Sequence, residues 1–159
     1  VYRAKKFITD KYFLMLLPDD LIIKKNCSKS MIVVHKKFKA SVMASMKVNK
    51  SDVTRWGIYN IKKKIDKDNF IINNVVEKPS IKTSPSNNAV IGRYILPKTI
   101  FSKLKSLKPG KSGEFHITDA IQALIEDDHQ FIGHNFLGKY LDCGTMKGYI
   151  KSTLEISKQ

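Results

Sequence analysis

Phe13-Leu14-Met15-Leu16-Leu17-Pro18-Asp19-Asp20 is an apolar run that ends abruptly in a proline and two carboxylates. Its length and unbroken hydrophobicity read as a buried strand of a layered α/β structure. Pro18 has no N–H to give a ladder and holds Leu17 extended, so the strand stops there and Asp19 projects past its end. In open α/β sheets, ligands bind in the crevice beyond the carboxyl ends of the strands. A carboxylate at that place suits a hard cation such as Mg2+, which takes one or two protein carboxylates and leaves its other positions to phosphate oxygens and water. A strand followed by a solvated acidic turn is the plainer reading, and the rest of the chain decides between the two.

Outward from this run, strand patterns fall at Tyr12–Leu17, Ser41–Val48, Gly57–Ile61, Phe70–Glu77, Ala89–Leu96 and Gln130–Phe136. Lys62 to Asn69 is a polar hairpin turn between two of them. Helical patterns fall at Ser30–Lys39, Lys98–Leu107, Asp119–Asp127 and Met146–Ile156. Thr118 is the expected N-cap of the third helix and Thr145 that of the fourth, whose Met146, Tyr149, Ile150 and Leu154 are expected to face inward. Ser80–Asn88 and Lys108–Gly113 read as loops. Strands mixed with helices predict an α/β or mixed layer architecture, in a single domain over residues 1–159.

Composition excludes several classes. No apolar run approaches the roughly 20 residues of a membrane span, so no membrane partner is expected. Cys27 and Cys143 make neither a disulfide framework nor a zinc pair, which points to a reducing cytoplasm. The net charge of +15 invites a basic nucleic-acid-binding module. Arginine, however, occurs only at Arg3, Arg55 and Arg93 among 29 basic residues, and the lysines are scattered over every segment. Base and phosphate forks favour arginine, so no specific nucleic-acid partner is expected. His35, His116, His129 and His134 show no metal spacing and read as structural or surface residues.

Four further stretches follow the first: Val75-Val76-Glu77-Lys78-Pro79, Ser86-Asn87-Asn88-Ala89-Val90-Ile91-Gly92-Arg93-Tyr94, Gly113-Glu114-Phe115-His116-Ile117-Thr118-Asp119, and Leu141-Asp142-Cys143-Gly144-Thr145. In this order and at these separations the sequence resembles the sugar-1-phosphate nucleotidyltransferases, from Leu16 to about Leu154, and most of all their uridylyl-transferring branch. The family's Gly-x-Gly-Thr-Arg triphosphate loop has no counterpart here. The resemblance therefore implies an α/β, partial Rossmann-like nucleotidyltransferase fold with a central mixed β-sheet flanked by helices and its first βαβ unit missing, the sugar-phosphate-binding portion of the enzyme.

It also implies a reaction. UTP and glucose 1-phosphate would give UDP-glucose and pyrophosphate with Mg2+ as cofactor. Such phosphoryl chemistry depends on alignment and charge neutralisation more than on covalent work by the protein. A thymidylyl or cytidylyl transferase of the same fold stays open. Carried over residue by residue, the resemblance makes Asp19 and Asp142 the metal and catalytic carboxylates, with Asp20 a weaker candidate. Lys78 becomes the phosphate partner and Glu77 the acceptor of sugar hydroxyls. Pro79 is expected to keep Lys78 extended, so that the two side chains diverge. Gly57 matches a glycine where sugar meets bare backbone, and Asn88 is a further sugar contact. Relatives that make deoxythymidine-diphospho sugars carry an arginine where this chain has Ser112, beside Lys111. The second phosphate ligand is left open by that difference. Missing strands would leave apolar surface uncovered, so a homo-oligomer without turnover of its own is expected.

Overall fold

The computed structural model describes residues 1–107 and 115–158. Eight strands and four α-helices lie along them: β1 Tyr12–Leu16, β2 Asp20–Ile23, α1 Cys27–Phe38, β3 Ser41–Lys47, β4 Gly57–Lys64, β5 Asn69–Glu77, β6 Asn88–Pro97, α2 Ile100–Ser106, α3 Ile117–Glu126, β7 Phe131–Asn135, β8 Lys139–Asp142 and α4 Met146–Ile156. Short 3-10 turns occupy Tyr2–Phe7 and Lys50–Arg55.

Six strands form one sheet in the order β1-β6-β3-β7-β5-β4, and β2 pairs with β8 in a separate two-stranded ribbon. Strand β3 runs parallel to β7, while the other pairings are antiparallel, so the sheet is mixed as expected. Alternation along β3 shows how both faces are filled. Val42 and Ala44 join Met31 and Val34 of α1 in one core, with Ile91, Ile95 and Ile132. Met43 points the other way, into a core closed by Ile100 and Phe101 of α2 and Ala120, Ile121 and Leu124 of α3. Burial on both faces explains why β3 and β6 carry so few charged residues.

Boundaries shift where capping decides them. Helix α1 begins three residues before the expected start because Asn26 caps it, its side chain accepting from Lys29 N at 2.9 Å. Helix α3 starts at Ile117 with His116 in the cap position, so Thr118 is not its N-cap. Thr145 does cap α4, accepting from Gly148 N at 3.0 Å.

The larger correction concerns the face of α4. Met146, Tyr149, Ile150 and Leu154 are each more than half exposed, and Ser152 is the helix's buried residue. Gly148 lies against β8 so closely that a Cβ would sit 2.3 Å from the Asp142 carbonyl oxygen, and the Ser152 hydroxyl donates to that oxygen at 3.2 Å. Helix α4 therefore docks by its small polar side, which lets its axis approach the ribbon, and its apolar stripe points outward. The expected loop Lys108–Gly113, with Lys111, Ser112 and Glu114, lies outside the described residues.

Candidate functional site

The ribbon of β2 and β8 brings the two distant acidic motifs together. Asp20 pairs with Asp142 across it, and Cys143 N–H donates to the Asp19 carbonyl at 2.8 Å. Pro18 and Asp19 occupy the middle of a tight turn whose end is tied by Asp20 N to Leu17 O at 3.4 Å. Proline's fixed φ suits that first central position. The carboxylate of Asp19 is consequently exposed at the tip, between the large sheet and the ribbon.

Neighbouring acids take different parts. Asp20 Oδ2 accepts from Gly92 N at 2.6 Å, and its Oδ1 accepts from the Tyr140 hydroxyl. Burial first, then the Asp20 carboxylate, holds the Tyr140 proton well above the usual phenol range. The Arg93 guanidinium is buried beneath the turn and donates to the carbonyls of Leu17 and Gly92, each at 2.9 Å, and to that of Asp20. Asp20, Arg93 and Tyr140 thus brace the turn that presents Asp19. An arginine inside the apolar strand Ala89–Leu96 was the available sequence signal, since a buried guanidinium must find several acceptors.

Asp19 and Asp142 converge on Gly144. A Cβ there would lie 2.9 Å from Asp19 Oδ2 and 3.4 Å from Asp142 Oδ1, while Gly144 N–H already donates to Asp142 Oδ1 at 2.9 Å. Asp142 also faces Arg55, whose Nη2 is 4.0 Å from its Oδ2. Two hard oxygen ligands on a glycine floor are a donor set that accommodates Mg2+ when phosphate and water fill its remaining positions. No group of three His, Cys, Asp or Glu side chains with metal-binding geometry occurs among the described residues.

A second cluster forms where β4 meets β5. Gly57 pairs with Glu77, and a Cβ on Gly57 would lie 3.0 Å from Glu77 Oε2. The carboxylate therefore lies over bare backbone, and any larger residue would displace it. Lys78 departs from expectation. It has φ +44°, in the left-handed region, and is not extended. Its N–H donates to Trp56 O at 3.0 Å, extending the β4–β5 pairing by one bond and turning the chain sharply before Pro79. Asn88 opens β6, is buried, and has an Oδ1 with no hydrogen-bond partner among the described residues. Its N–H donates to Ser86 Oγ at 3.1 Å, and that hydroxyl donates to Tyr59 O at 2.6 Å.

Paired carboxylates at a ribbon end, beside a glycine-floored strand end with its own acid and lysine, form the arrangement that comparison with known proteins puts in context. The nucleotidyl transferase family profile matches residues 1–159. The chain belongs to that family. It is 35% identical over 156 residues to a UTP–glucose-1-phosphate uridylyltransferase of Pseudomonas aeruginosa, covering 96% of this chain and 55% of the relative. The crystal structure of an apo UDP-glucose pyrophosphorylase superposes with a TM-score of 0.92 at 34% identity, covering 99% of this chain and 58% of that one. A UDP-glucose pyrophosphorylase complexed with UDP-glucose superposes with a TM-score of 0.89 at 34% identity, covering 99% and 61%. The chain spans little more than half the length of the relatives it matches.

Proposed function

We propose that this chain is the sugar-phosphate-binding part of a Mg2+-dependent uridylyltransferase that converts UTP and glucose 1-phosphate into UDP-glucose and pyrophosphate. The observation that carries the reading is the convergence of Asp19 and Asp142 on Gly144, across a ribbon that joins two motifs far apart in sequence. A phosphate oxygen of glucose 1-phosphate would attack the α-phosphorus of UTP, and the bond to the bridging oxygen of the departing pyrophosphate would break.

Asp19 and Asp142 would hold the Mg2+, which when bound neutralises the negative charge shared by the attacking and departing groups. Glu77 accepts sugar hydroxyl hydrogen bonds above Gly57, where the missing side chain gives the ring room. Lys78 supplies positive charge to the sugar phosphate. The unpartnered Oδ1 of Asn88 is a further acceptor for a sugar hydroxyl. Both cysteines are free thiols, in keeping with a reducing cytoplasm, and no described helix is long and apolar enough to cross a membrane. The outward apolar stripe of α4 is assigned to contact with a second copy of the chain.

Calorimetric titration of the purified chain with UDP-glucose tests the reading. Binding should strengthen when Mg2+ is added, and Asp19→Asn and Asp142→Asn should each abolish that gain. Metal-independent binding, unchanged in both variants, would overturn the assignment. With no residue here matching the triphosphate loop of the relatives, the chain on its own should release no pyrophosphate from UTP and glucose 1-phosphate. A coupled pyrophosphate assay checks this.

A further inference from the structure

We infer that Arg55 is the second ligand of the sugar phosphate, doing in this chain what an arginine at the position of Ser112 does in some relatives. The inference rests on the sugar-phosphate reading of the site and adds to it a residue that the motifs did not single out.

Arg55 ends the 3-10 turn before β4, two residues ahead of Gly57. Its guanidinium stands 5.9 Å from the centre of the Trp56 ring and 4.0 Å from Asp142 Oδ2. Trp56 is itself fixed twice: its ring meets Tyr140 edge-on at 5.6 Å, and its carbonyl accepts from Lys78 N. The guanidinium is thereby attached to the segment that carries Gly57 and that the Lys78 N–H bonds to, and it reaches the proposed metal carboxylate. Two cavities, of about 690 and 370 Å³, are lined by both Arg55 and Asp142, so the pair separates two open spaces.

Chemistry favours this residue over its basic neighbours. Lys139 is engaged with Glu155 at 2.6 Å. Lys147 and Lys151 on α4, and Lys158 just after it, are point charges on long stems. Arg55 alone presents a planar fork that fits two phosphate oxygens at once. Among the described residues that fork makes no hydrogen bond and meets Asp142 only at 4.0 Å, so most of its donors are free. A cation taken up by Asp142 would draw that carboxylate's charge away from Arg55 and leave the guanidinium to the phosphate.

The test uses the 159-residue chain with glucose 1-phosphate and, separately, glucose as probes in ligand-detected NMR titrations. Arg55→Gln should weaken glucose 1-phosphate about tenfold or more, the range for a charged hydrogen bond, and leave glucose affinity unchanged. Arg55→Lys should restore only part of the loss, because an ammonium cannot fork. Lys62→Gln, a remote change in β4, controls for net charge and should have no effect. If Glu77→Gln weakens both probes while Arg55→Gln leaves glucose 1-phosphate unaffected, the Arg55 inference falls and the sugar-phosphate reading stands. An equal loss for glucose in Arg55→Gln would also overturn the inference, since it marks a general structural effect. Failure of the unaltered chain to bind glucose 1-phosphate at millimolar concentration would overturn the reading and the inference together.

Discussion

Two adjacent aspartates divide presentation from support. Asp19 reaches the site with its carboxylate exposed, whereas both oxygens of Asp20 are taken by Gly92 N–H and the Tyr140 hydroxyl. Asp20→Asn replaces one acceptor oxygen with a donor facing the Gly92 N–H or the tyrosine. It should lower the unfolding free energy by about 1–3 kcal/mol, the range for hydrogen bonds to a charged group. Asp19→Asn should stay within about 0.5 kcal/mol, as surface changes do. Urea denaturation of the two variants checks the contrast, and equal losses would remove the bracing role from Asp20. The sequence made Asp19 legible, because a proline-terminated apolar strand has to place the next residue beyond its end. Asp20 was not legible: its partners Gly92 and Tyr140 lie 72 and 120 residues away, and no local rule reports such a contact.

At the scale of elements, long strands with clear alternation were readable, and the short ribbon was not. Strands β2 and β8 have four residues each and, among the described residues, pair only with one another, so each looks like loop until the other is in place. The inverted setting of α4 was hidden for a related reason. Its apolar stripe has the usual spacing, but Gly148 and Ser152 allow closer approach on the opposite side.

The junction of α1, β5 and β7 carries a pH dependence. Asn69 Nδ2 donates to both carboxylate oxygens of Asp66, at 2.8 and 2.9 Å, which leaves its Oδ1 to accept from His134 Nδ1–H at 2.9 Å. His134 Nε2 lies 3.0 Å from the Ser30 hydroxyl, which donates to Cys27 O at 2.8 Å. Burial lowers the His134 pKa below its ordinary value despite the pull of Asp68 and Asp66. The unfolded chain therefore binds the proton more readily, and stability rises with pH through the interval below about 6.5. Acidification from pH 7 to 5 should thus destabilise the protein. His134→Gln, which has no group titrating there, should flatten that part of the profile. Urea midpoints across the range check it, and an unchanged slope in the variant would assign the effect elsewhere. Asp66, whose desolvation is outweighed by the N–H donors of Asp68 and Asn69 that together hold its carboxyl below the ordinary value, adds its own loss only below about pH 4.

Over the whole molecule, a layered α/β architecture followed from the pattern of strands and helices, and the mixed sheet flanked by helices came with the family resemblance. What pattern could not supply was which apolar faces stay uncovered. Helix α4 turns Met146, Tyr149, Ile150 and Leu154 outward, and Leu16 and Leu17 are exposed at the end of β1, an edge strand of the sheet. Uncovered apolar surface of this kind favours association. A charge of +15 on each copy opposes pairing with a second copy. Salt screens that repulsion, with a Debye length of about 10 Å at 0.1 M, so self-association through α4 should strengthen as ionic strength rises. Attachment to an anionic surface or nucleic acid would weaken instead, because it depends on the attraction that salt removes. Sedimentation equilibrium at low and high salt reads this sign directly. Ile150→Asn with Leu154→Asn removes apolar surface without altering charge, and since both side chains are already more than half exposed the fold should change in stability by less than about 1 kcal/mol. The double variant should remain monomeric at both salts while the unaltered chain dimerises at the higher one. A monomeric parent at high salt would remove the second copy from this face, and dimerisation that persists in the variant would move the contact to another surface, with the edge of β1 next to be tested.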